Sequence, residues 1–300
     1  MLEISREFHS AKPAKFQASE KYKKISPKKK KLPPIVFFMS DAQQSTPKKA
    51  TPTPPKQTLA DLVKTLQFAW FVGHVVTFVA TLMYALTYLR VFPSSYKFWY
   101  KLALAGVVES FGILVFQSVK KNGAKLSVLL SDDNVHYLLL GLGLFFFSPY
   151  VLLTLTVYIL FSTFHVLSYA KHYLLPVLNI PETHPVSVKI GNFVAANNAS
   201  SIQWAALLEV ATLGWLFLRV LTFRSCSVIP FLLYVVFIKL RFEKSAFTRS
   251  AFKSLEMRVE SSVNSLGNPK AKDIWIQVKG VFHKVALVHV AHDYTKEKST

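Results

Sequence analysis

The chain has 300 residues, of which 51% are hydrophobic and 14% aromatic, yet it carries a formal net charge of +20. A mean hydropathy of +0.31 beside that charge is unusual for one soluble domain. The lysines and arginines gather toward both ends and the apolar residues lie between them, the pattern of a multi-span membrane protein with basic flanks. A lone cysteine, Cys226, excludes an internal disulfide framework and a cysteine-based metal site.

Residues 1–58 are rich in Lys, Pro, Thr and Ser. They cannot bury enough apolar surface to offset the entropy of ordering and read as a disordered basic tail. The first forty residues hold no apolar core of a cleaved signal, only the short patch 35–39, so insertion starts from the first span. Lys28, Lys29, Lys30 and Lys31 form a block with three readings: solvated tail charge, an importin-type signal, or attraction to anionic lipid. Met39, followed by Ser40 and Asp41, offers an alternative start that would make residues 1–38 an extension.

The first long apolar run covers residues 66–89 and is closed by Arg90 and Pro93. A helix rises about 1.5 Å per residue and about 20 residues cross the hydrocarbon core, so this run is long enough to span. A second span covers 99–119, with Lys97 and Lys101 before it and Lys120 and Lys121 after it. The linker 94–98 is too short for a domain, so the two spans form an antiparallel hairpin. A polar loop, 120–134, follows. The chain is then apolar almost continuously to residue 178, which is too long for one span and too short for two with a solvated loop. Ser148-Pro149 interrupts it, because proline breaks the helical hydrogen-bond ladder. The expected arrangement is a half-helix at 135–147 and a third span at 149–169, with Pro149 in its first turn.

Residues 176–198 read as a polar connector and 201–221 as the fourth span, ended by Arg219 and Arg224. Residues 228–240 are apolar for only about half a bilayer and are expected at the interface or as a second half-helix. Residues 241–300 form an amphipathic, cytosolic region. Over 242–263, Phe247, Ala251, Leu255 and Val259 recur every four residues. Gly267-Asn268-Pro269 breaks that helix. A second helix over 270–292 carries Ile274, Trp275, Val278, Val281, Phe282 and Val285 on one side, with Lys272, Gln277, Lys279 and Lys284 largely opposite. The expected fold class is all-α: a polytopic helical membrane protein with about four transmembrane helices in residues 59–240, plus cytosolic amphipathic helices.

Lysine and arginine concentrate in the N-terminal tail, the loop after Lys120 and the C-terminal segment, so the positive-inside rule puts both termini in the cytosol. The first hairpin turn, with Arg90 and Lys97, is then lumenal although basic. Asn198-Ala199-Ser200 is a glycosylation sequon, lumenal in this arrangement and close to the fourth span. Lys296 and Lys298 near the end resemble a dilysine retrieval signal, which is read from the cytosol.

His74, Glu109 and Glu209 lie inside spans, where an ionisable residue is either a functional site or a hydrogen-bonded packing element. His74 and Glu109 differ in expected depth by about 3 Å, so they are expected to meet. His136, His165 and His172 are scattered, with no HxxxH or HExxH spacing, and read as satisfied or interfacial histidines. No Walker motif, GxGxxG or GxSxG is present, so neither enzyme activity nor a cofactor or metal is expected. The basic clusters flank spans or line an apolar helix face. Their expected partner is therefore the lipid bilayer rather than a nucleic acid, with Ile274, Trp275, Val278, Phe282, Val285, Lys272, Lys279 and Lys284 as the membrane-surface set. A small transporter or channel using His74, Glu109 and Glu209 is the alternative. Against it stand the lack of an internal repeat and a single candidate broken helix.

Leu66-Gln67-Phe68-Ala69-Trp70-Phe71-Val72-Gly73-His74 opens the first span, Val135-His136-Tyr137-Leu138-Leu139 the half-helix, and Phe147-Ser148-Pro149-Tyr150 and Phe161-Ser162-Thr163-Phe164-His165 follow. In order and spacing these segments, within residues 59–263, resemble the transmembrane protein 33 family, which includes the fungal pore-membrane and tetra-spanning proteins. The resemblance implies a protein of the endoplasmic reticulum and nuclear envelope that shapes tubular membrane and helps nuclear pore complexes assemble or distribute. It implies nuclear pore proteins, importins or reticulum-shaping proteins as partners, and no catalytic residues. The long lysine-rich N-terminus departs from the short one of the family.

Overall fold

The computed structural model describes residues 58–291. The lysine block 28–31, Met39 and the lysines at 296 and 298 lie outside the described residues. The described chain is helical throughout: α1 (Leu59–Val63), α2 (Leu66–Tyr88), a 3-10 turn at Pro93–Ser95, α3 (Tyr96–Asn122), α4 (Leu126–Leu130) and α5 (Asp133–Phe147). Then come α6 (Leu153–Tyr169), a π-helical turn at Ala170–Leu174, α7 (Leu175–Val177), α8 (Pro185–Leu221), α9 (Val228–Lys244), α10 (Ala246–Ser265) and α11 (Pro269–Leu287). Among the described residues four helical stretches are long and apolar enough to cross a membrane: Leu66–Tyr88, Pro93–Asn122, Leu153–Val177 and Pro185–Leu221.

The α2–α3 hairpin forms because small residues let two backbones meet. A Cβ added at Gly106 would lie 2.6 Å from the Gly73 carbonyl oxygen. Thr77 beside it donates its hydroxyl to the carbonyls of Gly73, at 2.9 Å, and Ala103, at 3.3 Å. Close approach of this kind replaces the hydrophobic drive that helices lack inside lipid.

Two sets of contacts define the ends of the bundle. At the end where α2 begins, here called proximal, Gln67 donates to the Tyr173 hydroxyl at 2.9 Å and Phe71 stacks on Tyr169 at 4.5 Å. At the distal end Tyr84 meets Tyr100 at 5.2 Å, the Tyr100 and Thr154 hydroxyls bond at 2.8 Å, and Tyr96 meets Tyr150 at 5.3 Å. Arg219 near the end of α8 reaches the Pro149 carbonyl there, at 3.4 Å. α9 starts beside Arg219 through Ser227 and returns to the start of α5, where Lys244 donates to the Ser131 carbonyl. Helices α2, α3, α5, α6, α8 and α9 therefore alternate in direction, and the chain leaves α9 at the proximal end. The core between them is aromatic and aliphatic, with Leu104, Val107, Leu144, Leu155, Tyr158, Leu216 and Tyr234 all buried.

Several expectations change. Residues 148–152 are not helical, and Tyr150 takes a left-handed backbone (φ 50), so α6 starts after Pro149 rather than with it. The expected connector 176–198 is mostly helix: α8 starts at Pro185, where His184 caps the amide of Val186 and proline fills the first turn. Asn198 lies 21 residues, about 32 Å, before Arg219. The sequon thus sits at the proximal end inside a helix, not at the side expected for it. The apolar stretch from Val228 runs on to Lys244 and packs on α5 and α8, so it belongs to the bundle rather than to its surface. α10 starts at Ala246 because Ser245 breaks the helix in extended geometry and caps the amide of Thr248. It packs on α8 through Thr248 and Ala251, which leaves Leu255 exposed.

Candidate functional site

The intramembrane residues singled out in the sequence do not converge. Glu109 is exposed. Gly106 and Ser110 turn α3 toward α2, and Ala103 and Val107 share that buried face. At 100° per residue, Glu109 falls about 110° from the centre of that face, on the exposed flank of the helix. It cannot meet His74, which overturns that expected pair. His74 is buried, with Nδ1 3.0 Å from the Ser162 hydroxyl, and its ring lies 4.6 Å from that of His165 and 4.7 Å from that of Trp70. Sequence spacing did not bring His74 and His165 together because they lie on different helices. Counted from the proximal ends of α2 and α6 the two lie at unequal depths, so depth gave no signal either. His136 bonds the Leu130 carbonyl at 2.8 Å and His172 the Ser168 carbonyl at 2.8 Å. Among the described residues no group of three His, Cys, Asp or Glu could hold a metal ion.

Glu209 anchors the main polar cluster. It is 0% exposed, takes the Tyr137 hydroxyl at 2.5 Å, and lies 3.5 Å from the Nε of Arg241. Arg241, 5% exposed, also donates to Asp133 at 3.2 Å and stacks over the Tyr137 ring at 5.3 Å. Lys244 bridges Asp133 at 3.0 Å. Asp133, Arg241 and Lys244 escaped sequence reading because they flank apolar runs and looked like ordinary solvated boundaries. Buried carboxylates and cations are tolerated only when mutually paired, and here opposite charges join the start of α5 to the end of α9. The rings of Phe111 and Tyr137, 5.5 Å apart, stand between His74 and this cluster. His74, Glu109 and Glu209 therefore line no common path.

The second site is α11. None of its residues is buried. Ile274, Val278, Val281, Phe282 and Val285 fall within one arc of the helix and are all exposed, Ile274 at 61% and Phe282 at 58%. The helix is held from two other directions. Lys279 pairs with Glu260 at 3.1 Å and Glu256 at 3.4 Å on α10. Hydrogen bonding to Glu260 raises the Lys279 pKa against a smaller desolvation, and Glu256 adds to the rise. At the C-terminal end Lys239 donates to the Ala286 carbonyl at 3.4 Å. Glu243, itself paired with Lys239 at 3.2 Å, accepts from the amides of Val290 at 2.9 Å and Ala291 at 2.7 Å. Trp275 is half-buried, while Lys272 and Lys284 stay exposed. Lys279 thus binds α10 rather than standing out beside the apolar arc, a correction to its expected place in the membrane-surface set.

A bundle of long apolar helices, closed by buried ion pairs and carrying an outlying amphipathic helix, defines a polytopic all-α membrane protein. The chain belongs to the family described as Transmembrane protein 33/Nucleoporin POM33, whose model matches residues 53–285. It is 32% identical to Nucleoporin POM33 of Chaetomium thermophilum over 259 residues, 78% of this chain and 90% of that one. It is 28% identical to Tetra-spanning protein 1 of Schizosaccharomyces pombe, over 76% of this chain and 87% of that one. It is 29% identical to the Pore membrane protein of 33 kDa of Saccharomyces cerevisiae, over 69% of this chain and 78% of that one. No solved structure matches.

Proposed function

We propose that the protein is a non-enzymatic organiser of the endoplasmic reticulum membrane and nuclear envelope, shaping membrane and supporting the assembly or distribution of nuclear pore complexes. The observation that carries this reading is the geometry of α11. An apolar arc stands exposed while both the flank and the C-terminal end of its helix are tied to a membrane-embedded bundle. Burial of a side chain such as Phe282 stabilises lipid contact by about 1.5–3 kcal/mol, and a lysine near anionic lipid adds about 1 kcal/mol. Neither anchors a protein alone. The spans already hold this helix beside the bilayer, so its contact is local and reversible, and shallow insertion expands one leaflet and favours curvature.

The relatives' names contain the words nucleoporin, pore membrane and tetra-spanning. That vocabulary supports partners at the nuclear pore; importins or reticulum-shaping proteins as further partners, and retrieval through Lys296 and Lys298, are part of the same proposal. The basic proximal end supports a cytosolic placement of both termini. Full-length protein in proteoliposomes should deform them into tubules and leave their ionic conductance at the lipid background. Conductance without deformation would instead favour the transporter reading.

A further inference from the structure

We propose that the groove between α3 and the end of α5 binds an anionic glycerophospholipid of the distal leaflet. The groove is an open cavity of about 500 Å³. Lys97 and Lys101 stand one helical turn apart on its α3 wall, and Leu102, Ala105, Phe145 and Tyr150 make up most of the remaining lining. None of its lining residues is acidic. The Lys101 ammonium lies 5.5 Å from the centre of the Phe145 ring, and that of Lys97 lies 5.8 Å from the centre of the Tyr96 ring.

The level of the groove selects the ligand. Tyr96 meets Tyr150 at the distal end of the bundle, which puts the two lysines at headgroup depth. Leu102 and Ala105 lie further along α3, toward the middle of the span. A soluble anion would satisfy the ammonium groups and leave the apolar floor unused. A phospholipid satisfies both, with its phosphate between Lys97 and Lys101 and an acyl chain along Leu102, Ala105 and Phe145. The positive-inside rule expects few basic residues at the distal end, yet Arg90, Arg219 and Arg224 also lie there. Two lysines there without an acidic neighbour in the groove are accounted for by an anionic ligand, and basic pockets between membrane helices take lipid headgroups in this manner.

The test is native mass spectrometry of the full-length protein in mild detergent, titrated with dioleoyl phosphatidic acid or dioleoyl phosphatidylcholine. Phosphatidic acid should reach half occupancy at a concentration about tenfold to thirtyfold lower, the ratio that two lysines near an anionic headgroup supply. The double variant Lys97→Gln, Lys101→Gln should abolish that preference, whereas Lys120→Gln, Lys121→Gln at the proximal end should keep it. Millimolar inorganic phosphate should not displace the lipid. Ala105→Phe, which fills the floor and leaves both charges in place, should lower occupancy by phosphatidic acid, and it decides the matter if the double lysine variant fails to fold. Equal binding of the two lipids, a preference unchanged in the lysine variant, displacement by phosphate, or full occupancy in Ala105→Phe would overturn the proposal.

Discussion

Arg241, near the end of α9, and Glu209, well along α8, form an ion pair at 3.5 Å with both side chains almost excluded from solvent. Breaking such a pair from one side leaves an uncompensated buried charge, at a cost of about 3–5 kcal/mol. Arg241→Met should therefore lower the thermal midpoint of the purified protein sharply. Adding Glu209→Met should recover most of the loss, because Asp133 keeps Lys244. A double variant as unstable as the single one would show that the cluster does more than neutralise charge.

The α2–α3 crossing gives a sharper contrast between two glycines of one helix. At Gly106 a Cβ would meet backbone atoms at 2.6 and 2.8 Å, whereas at Gly112 it would meet nothing within 4 Å. Gly106→Ala should force the helices apart at a cost of about 1–3 kcal/mol. Gly112→Ala should be neutral or stabilising by up to about 1 kcal/mol, since alanine is the better helix former. Unfolding in graded denaturing detergent, followed by size-exclusion chromatography, separates the two. Equal behaviour would mean that the close approach is not what joins the hairpin.

The reach of sequence reasoning differed by element. Long apolar runs declared α2 and α3 because length alone fixes a span. α5 and α9, with 15 and 17 residues, are too short to declare their direction by length, and opposite charges, Asp133 against Arg241 and Lys244, tie their ends together. A reading attentive to complementary charges at the ends of two short apolar runs would have paired them. The polar first half of α8 hid a helix whose signals, a cap at His184 and a proline at its first position, were present but outweighed by composition. Glu109 was misassigned because depth was considered without face. Gly106 and Ser110 mark the packed side of α3, and Glu109 lies away from it. The apolar arc of α11 was legible from period alone, whereas the role of Lys279 required knowing where α10 lies.

The alternation of the bundle helices makes a topological prediction through the lone cysteine. Cys226 is exposed in the distal turn between α8 and α9, beside Arg219 and Ser227. In sealed microsomes a membrane-impermeant maleimide should leave it unlabelled until detergent is added, while protease should remove an epitope tag from either terminus. Labelling of Cys226 before permeabilisation would reverse the orientation, and protection of the C-terminal tag alone would remove α9 from the set of crossing helices.

The central claim is that the exposed arc of α11 meets lipid and favours curved membrane. The direct measurement is the enrichment of fluorescent full-length protein on narrow tubes pulled from giant vesicles containing anionic phospholipid, relative to the flat membrane of the same vesicle. The comparison is with a variant in which Ile274, Val278, Phe282 and Val285 are all serine. These four side chains are exposed and the clamp through Glu243 and Lys239 is untouched, so the bundle should insert and fold as before. The natural protein should concentrate on the tubes and the variant should distribute evenly between tube and flat membrane. Equal enrichment of the two would contradict the account and assign the arc to a protein partner instead.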